Sequence, residues 1–396
     1  MMKKNVGLLI PSINEGGAER VVSRLSHILS EKYNIFVIVF EDTYMKYDLK
    51  GTLLNLGVKA EPGINVKKAT LPFRRAYKLK KIKREFKLDV VISFMDSPNL
   101  VNVFSDIKDC KTIISIRNYD YNTTSKIMRK MMKSVYSKAD YIIPVSKVIE
   151  KDLIENYEIT SKKIKTIYNP YNILEIEKLK VEEIKEEYSS FFEDGFFYVS
   201  VGRNMYQKGY WHLIKSFKVV QEKIPEAKLV IVGRDEMDGK AAKLVKELDI
   251  EKNVLFTGSQ ENPFSFINKS DVYVLSSLFE GFPNGMAEAM VCGCPIIAVD
   301  CNSGPREILN TNIDFSTKSS LTELTDYGVL VPPFDMKENW DSEVLEESEV
   351  NLAKAMILLK ENKDLREYYK EKSLERAKDF DYETCKNKFS EVIEQN

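Results

Sequence analysis

Histidine is nearly missing from this sequence: His27 and His212 are the two in 396 residues. Chemistry that needs several imidazoles, whether to hold zinc or to move protons in pairs, has little to draw on. Long hydrophobic runs are absent too, and nothing approaches the roughly 20 apolar residues that cross a bilayer. The early VGLLI (Val6–Ile10) is too short for a signal-peptide core and reads as a first strand. Cysteines number five, an odd count, so free thiols in a reducing cytoplasm are the simplest reading. Cys292-x-Cys294 with Cys301 supplies three zinc-type ligands, but no histidine is near and the surroundings are apolar. Buried thiols are expected there instead of metal.

Net charge is also all but missing, at −1, yet it conceals an imbalance. Residues 1–170 carry 31 Lys and Arg against 18 Asp and Glu; the remainder carries 28 against 42. Two electrostatically different bodies are implied, and a chain of 396 residues exceeds one ordinary core. An apolar share of 43% and a charged share of 30% describe a globular protein. β-Branched apolar runs at 6–10, 35–40, 90–94, 112–116 and 141–145 alternate with helical stretches, and a second series follows at 196–201, 228–232, 253–256, 272–275, 295–299 and 328–331. That alternation predicts α/β structure, two Rossmann-like doubly wound domains. Asn169-Pro170 breaks regular structure at the seam. Residues 1–172 and 173–375 are the expected domains, joined by a charged helix over 174–188.

Within that frame, loops that follow strands carry the chemistry. SINEGGAER sets Gly16 and Gly17 before a helix, where backbone amides approach an anion. SIRNYDYN places Arg117, Asn118 and Asp120 just beyond a strand, where ligands of open parallel sheets sit; a structural ion pair is an equal reading of Arg117. In VGRNMYQKGY, Arg203 and Lys208 make a basic fork among Gly202 and Gly209, suited to a diphosphate. FEGFPNGMAEAM sets Glu280 in a loop and Glu288 eight residues on, across Phe282, Pro283, Asn284 and Gly285. The helix is expected to begin near Gly285, with Glu288 in its first turn. Alone, each motif also reads as a helix cap or a salt-bridged surface.

In combination they resemble the retaining glycosyltransferases of family 4, with their glycine loop, Arg-x4-Lys and Glu-x7-Glu in order, followed by NSGPREIL (Asn302–Leu309). The resemblance implies a GT-B fold whose domains face a cleft, an N-terminal acceptor domain and a C-terminal nucleotide-sugar domain. It also implies a final helix, residues 376–396, that crosses back to the first domain. Arg203, Lys208 and Glu280 would then be catalytic. The donor would be held by these with Gly16, Gly17, Gly258, Phe282, Pro283, Asn284, Gly285 and Glu288, the last on the ribose. Base contacts are expected from backbone at 258–261 and side chains after Gly233. Many relatives place a histidine where this chain has Arg117 and Asn118, as bacterial surface-polysaccharide members do; these two are candidate substrate residues. No metal or cofactor is expected, and Asp379-x-Asp381 is an accidental match to a metal motif.

The expected activity is transfer of a hexose or N-acetylhexosamine, with retention, from a nucleoside diphosphate sugar, UDP-linked by expectation, to a lipid-linked or glycan acceptor. Capsule, O-antigen or a similar bacterial surface glycan would be the product. A sugar-nucleotide 2-epimerase or a non-catalytic sugar-nucleotide-binding subunit are the alternatives. Two basic segments, 73–87 with eight Lys and Arg, and 126–138, read as amphipathic helices. Their apolar stripes are expected at Phe73, Tyr77, Leu79, Ile82 and Phe86, and at Ile127, Met128, Met131, Met132, Val135 and Tyr136. Their charge suits an anionic inner membrane surface, at about 1 kcal/mol per basic residue, better than nucleic acid. The expected location is cytoplasmic, peripheral on the membrane face.

Overall fold

The computed structural model describes residues 3–14, 16–41, 47–59, 65–117, 126–311 and 318–395, with backbone alone at 65–69 and 126–128. The chain divides into two units, Met1–Tyr171 with Tyr382–Asn396, and Asn172–Asp381.

Unit 1 runs β1 (Asn5–Ile10), α1 (Gly17–Ser30), β2 (Asn34–Val39), β3 (Thr52–Asn55), α2 (Asn65–Glu85), β4 (Val90–Phe94), α3 (Asp96–Phe104), β5 (Lys111–Ile116), α4 (Lys126–Tyr136), β6 (Tyr141–Pro144) and α5 (Lys147–Glu155). Its sheet has the order β3-β2-β1-β4-β5-β6, and every pairing is parallel. Helices cover both faces of such a sheet, so its interior strands are largely apolar; all five residues of β4 are buried. The edge strand β3 was not expected: its four residues are exposed or half-buried and carry no core pattern. The chain leaves β1 toward β2 and β3, then returns to β4 on the other side. A switch point therefore lies at the carboxyl ends of β1 and β4, where a crevice opens. Buried amides lock α3 onto this region: Asn99 Nδ2 donates to the Ser115 carbonyl at 3.0 Å, and Asn102 Nδ2 to the Val91 and Ile113 carbonyls at 2.9 and 3.1 Å.

The two basic helices differ from expectation in which residues they bury. On α2, Phe73 and Tyr77 are exposed, at 60% and 61%, and Phe73 stacks on Phe104 at the surface. The expected Leu79 is buried, with Ile82 and Phe86 packed against the same core, and Arg75 and Lys83 are buried beside it. Arg75 lies over the Phe40 ring and donates Nε–H to the Val58 carbonyl at 3.1 Å. Lys83 reaches the Asn102 carbonyl at 3.4 Å, and burial pushes its pKa down. Long basic side chains can be drawn inward when a carbonyl or a ring lies at the end of the stem. On α4, Met132, Val135 and Tyr136 are buried while Met131 is exposed.

The C-terminal helix Tyr382–Glu394 belongs to unit 1. Its Cys385, Phe389, Val392 and Ile393 join the core beside β1 and α1. Glu394 accepts from Tyr33 Oη at 3.0 Å and pairs with Lys4 at 2.8 Å, and Glu391 pairs with Lys165 at 2.6 Å. Residues 376–381, expected to leave with this helix, stay in unit 2. There Arg376 donates to the Ile308 and Glu307 carbonyls and Phe380 is buried edge-on against Phe282.

Unit 2 runs α6 (Ile173–Leu179), α7 (Glu186–Ser189), β7 (Phe196–Val201), α8 (Tyr210–Lys223), β8 (Ala227–Val232), α9 (Lys240–Glu247), β9 (Val254–Gly258), α10 (Phe264–Asn268), β10 (Val272–Leu275), α11 (Asn284–Val291), β11 (Ile296–Val299), α12 (Pro305–Leu309), β12 (Glu323–Leu324), β13 (Val329–Val331), α13 (Glu347–Glu361) and α14 (Lys363–Ala377). The expected linker helix over 174–188 is broken at 180–185, and Asn262 holds the end of α6 through the Leu179 carbonyl at 2.7 Å. Helix α13 begins at Glu347, behind a capping box of Glu346 and Glu349. Sheet order is β12-β13-β11-β10-β7-β8-β9, and among the described residues β12 alone runs antiparallel. The chain goes outward from β7 through β8 and β9, then returns to β10 at the side of β7. The carboxyl ends of β7 and β10 thus form the second switch point.

All five cysteines are free and buried. Burial pushes the thiol of Cys110 up to about 11 and those of Cys292 and Cys385 up to about 12, and raises Cys294 and Cys301 further. A raised thiol pKa keeps the neutral, unreactive form at pH 8. Ellman's reagent should therefore titrate less than one thiol in the native protein at pH 8 and all five in guanidinium; rapid native modification of two or more would contradict this packing.

Candidate functional site

The loops after β7 and β10 interlock. A single 3₁₀ turn, Tyr206–Lys208, follows β7; it is tied to the β10 loop by Leu278 N–H donating to the Gln207 carbonyl at 2.8 Å and Ser276 Oγ to the Lys208 carbonyl at 2.8 Å. Gly209 ends the turn in a left-handed conformation, φ +58°, and a Cβ there would come within 2.6 Å of the Ser276 carbonyl oxygen. Only glycine satisfies both demands. The result is that Lys208 Nζ lies 2.6 Å from Glu280 Oε1, with 18% of the lysine side chain and 8% of the glutamate exposed.

Glu280 is held from several directions. Ser277 Oγ donates to Oε1 at 2.7 Å and Gln207 Nε2 to Oε2 at 3.3 Å. The same Gln207 amide donates to the Phe279 carbonyl at 2.8 Å. On the backbone, Glu280 N–H donates to Asn302 O at 2.6 Å, and Ser303 N–H to Glu280 O at 2.7 Å. The segment Asn302–Leu309 therefore sets the Glu280 backbone, while the β7 turn sets its carboxylate. For Lys208, burial pushes the pKa down, but the Glu280 charge and hydrogen bond and the nearby Tyr210 outweigh it and leave it above the ordinary lysine value. It stays an ammonium throughout the neutral range.

Around this pair, the candidate residues take different places. Arg203 is half exposed and pairs with Glu236 Oε1 at 3.3 Å, which also receives Arg234 Nη2 at 2.6 Å. Glu236 is held below the usual carboxylate range, first by the Arg234 hydrogen bond. The backbone joins the same residues: Asn204 N–H donates to Arg234 O and Glu236 N–H to Asn204 O, both at 2.8 Å. Pro283 caps α11, which begins at Asn284. Glu288, buried at 2%, thus lies in the second turn and not the first. Gly285 lies where a Cβ would meet Tyr273 Oη at 2.6 Å and the Val201 carbonyl at 3.0 Å, so its small size lets α11 approach the ends of β7 and β10. The Phe282 ring packs against Phe380, so its side chain serves packing. Gly258 ends β9 and accepts from Gly233 N–H at 2.9 Å.

In unit 1, Gly16 caps α1 in an extended conformation and Gly17 opens the helix. The carboxylate of Glu19 lies over Gly16, where a Cβ would collide with it, so this helix end carries an acid of its own. Arg117 is buried at the carboxyl end of β5 with Asn169 as its hydrogen-bond partner; no acidic partner is found among the described residues, and the ion-pair reading falls. Asn118 and Asp120 lie outside the described residues.

Sequence reading missed Ser277 and Gln207, and among the side chains expected after Gly233 it did not single out Arg234 and Glu236. A rule that every buried carboxylate needs donors would have directed attention to Ser277, three residues before Glu280. Metal-type ligands converge once among the described residues, at His212, Glu346 and Glu349. There His212 Nδ1 lies 2.7 Å from Glu349, and Lys215 Nζ lies 3.3 Å from the same oxygen. A lysine already compensates that carboxylate, and the cluster ties α8 to α13. Asp379 pairs with Arg376 at 2.6 Å, an ordinary i,i+3 surface contact.

Comparison with known proteins gives the family. Residues 15–173 match the family model Glycosyltransferase Family 4, and residues 181–327 match Glycosyl transferases group 1. An uncharacterized glycosyltransferase of Methanocaldococcus jannaschii is 37% identical, over 81% of this chain and 83% of the relative. The N-acetylgalactosamine-N,N'-diacetylbacillosaminyl-diphospho-undecaprenol 4-alpha-N-acetylgalactosaminyltransferase of Campylobacter jejuni is 30% identical, over 96% of both chains. In fold, a glycosyltransferase from Rickettsia africae is similar with a TM-score of 0.77 at 16% identity, covering 99% of this chain and 98% of that one. Anabaena Alr3699/HepE in complex with UDP-glucose is similar with a TM-score of 0.75 at 17% identity, covering 99% and 100%. The chain therefore belongs to the glycosyltransferases of these two family models, built on the GT-B fold.

Proposed function

We propose that this glycosyltransferase moves an N-acetylhexosamine or hexose, with retention and without a metal, from a UDP-sugar to a diphosphate-lipid-linked glycan in bacterial surface polysaccharide assembly. One observation carries the reading: a protonated Lys208 paired with an oriented Glu280 at the switch point of unit 2. Breaking a glycosyl–phosphate bond leaves negative charge on the departing diphosphate, and fixed cations lower the barrier by meeting it. Lys208 and Arg203 supply two, each contributing about 1.5 to 3 kcal/mol as charge-assisted hydrogen bonds. That would serve where other enzymes use a divalent ion. Glu280, held by Ser277 and Gln207, is oriented to receive hydroxyls of the transferred sugar, and Glu288 those of the ribose. A donor phosphate oxygen takes the acceptor proton. The Campylobacter relative, named as an N-acetylgalactosaminyltransferase acting on an undecaprenol-diphosphate glycan, supports the donor and acceptor classes. The exposed Phe73 and Tyr77 on basic α2 suit contact with an anionic membrane face bearing that acceptor.

Nucleoside diphosphate release from a panel of sugar nucleotides, with and without short prenyl diphosphate-sugar acceptors, tests this. Acceptor-dependent release from one donor is expected, unaffected by chelator and lost in Glu280→Ala and Lys208→Ala. Donor epimerised, or bound without release, would sink the transferase reading. Ser277→Ala and Gln207→Ala should each lower kcat about tenfold or more, the worth of one hydrogen bond to a charged group, with unfolding midpoints near wild type. Unchanged kcat in both would show that Glu280 needs no such orientation.

A further inference from the structure

Arg117 is buried to 91% and is held on one edge only. Its Nη1 donates to Asn169 Oδ1, and its guanidinium lies 5.2 Å from the Phe94 ring centroid. Nε and Nη2 are buried without a hydrogen-bond partner among the described residues. The contrast within the same chain is Arg306, which donates to Asp300 at 2.7 and 3.1 Å, to Glu323 at 2.9 Å and to Ser319 at 2.8 Å. Arg306 is what a structural arginine looks like here. Burial without such compensation pushes the Arg117 pKa down to about 10, so it remains a cation at neutral pH, and an uncompensated buried charge opposes folding. The two open donors are also the neighbouring pair on one edge of the guanidinium, the fork that accepts two oxygens of one phosphate or carboxylate. Met95, at the end of the adjacent strand β4, has φ +78°, a strain of the kind found at ligand sites.

We propose that Arg117 is an oxyanion receptor of unit 1, its Nε–H and Nη2–H taking two oxygens of a phosphate in a diphosphate-linked substrate. The identification of the anion as phosphate rests on the glycosyl-transfer reading above. The phosphate belongs either to the nucleotide donor or to the prenyl diphosphate acceptor, and binding measurements separate these sources.

Calorimetric titration of the full chain with inorganic pyrophosphate, UDP and farnesyl diphosphate would be made on wild type, Arg117→Lys and the paired variant Arg117→Met/Asn169→Leu. Repeating it in Lys208→Met removes the cation of unit 2. Arg117→Lys should fold as wild type yet bind pyrophosphate at least tenfold more weakly, because an ammonium lacks the fork. The paired variant removes both partners, so its unfolding midpoint should equal or exceed that of wild type while affinity falls similarly. Loss for UDP alone assigns the phosphate to the donor, and loss for farnesyl diphosphate alone assigns it to the acceptor. A lowered midpoint in the paired variant, or pyrophosphate affinity within twofold of wild type in both variants, would overturn the proposal. Arg117-dependent pyrophosphate binding in a protein that transfers no sugar would leave the receptor standing and remove the transferase reading.

Discussion

The ion pair between Lys208 and Glu280 governs unit 2. Neither side chain is solvated well enough to stand alone, and breaking a pair of this kind by removing one partner costs roughly 3 to 5 kcal/mol. Keeping it requires the β7 turn and the β10 loop to stay in register, which explains the left-handed Gly209, the backbone link between Gln207 and Leu278, and the hydroxyl of Ser277. It also explains why Asn302 and Ser303 are drawn onto the Glu280 backbone. Behind the turn, α8 is anchored by the fully buried His212, Lys215 and Glu349, which limits how far Lys208 can drift. Under the proposed function, the pair would hold the Lys208 ammonium at low solvent exposure, where an incoming diphosphate would interact with it.

Both units place charged residues at the carboxyl ends of parallel strands, but they treat them differently. Unit 2 neutralises its cations internally: Lys208 by Glu280, Arg203 and Arg234 by Glu236. Unit 1 leaves Arg117 with an open edge. The charge imbalance between the halves of the sequence has a corresponding structural content. Unit 1 draws Arg75 and Lys83 inward, satisfied by carbonyls and a ring, while most basic residues of α2 remain outside beside Phe73 and Tyr77.

Much of this was legible beforehand because parallel sheets write themselves as apolar runs. The strands from β1 to β11 that lie inside a sheet could be placed within a residue or so, whereas β3 and β12, short edge strands with little burial, leave no such mark. Glu280 and Lys208 were visible as motif residues, but their contact was not, since 72 residues separate them. Ser277 and Gln207 were silent for a different reason: a serine or glutamine in a loop has no periodicity, and its role exists only once a carboxylate is buried beside it. Helical spacing placed Leu79, Ile82 and Phe86 on the core side of α2, but it missed Arg75 and Lys83, whose stems end on a carbonyl or a ring, and it missed that Phe73 stays outside on Phe104. The α11 start shifted by one residue because Pro283, and not Asn284, serves as the cap.

A crystal structure of the protein with an unhydrolysed UDP-sugar tests the central claim most directly. Lys208 Nζ should lie within hydrogen-bond distance of a diphosphate oxygen, with Glu280 still receiving Ser277 and facing the sugar. A diphosphate bound away from Lys208, or a Glu280 carboxylate turned away from the sugar with Ser277 released, would contradict it.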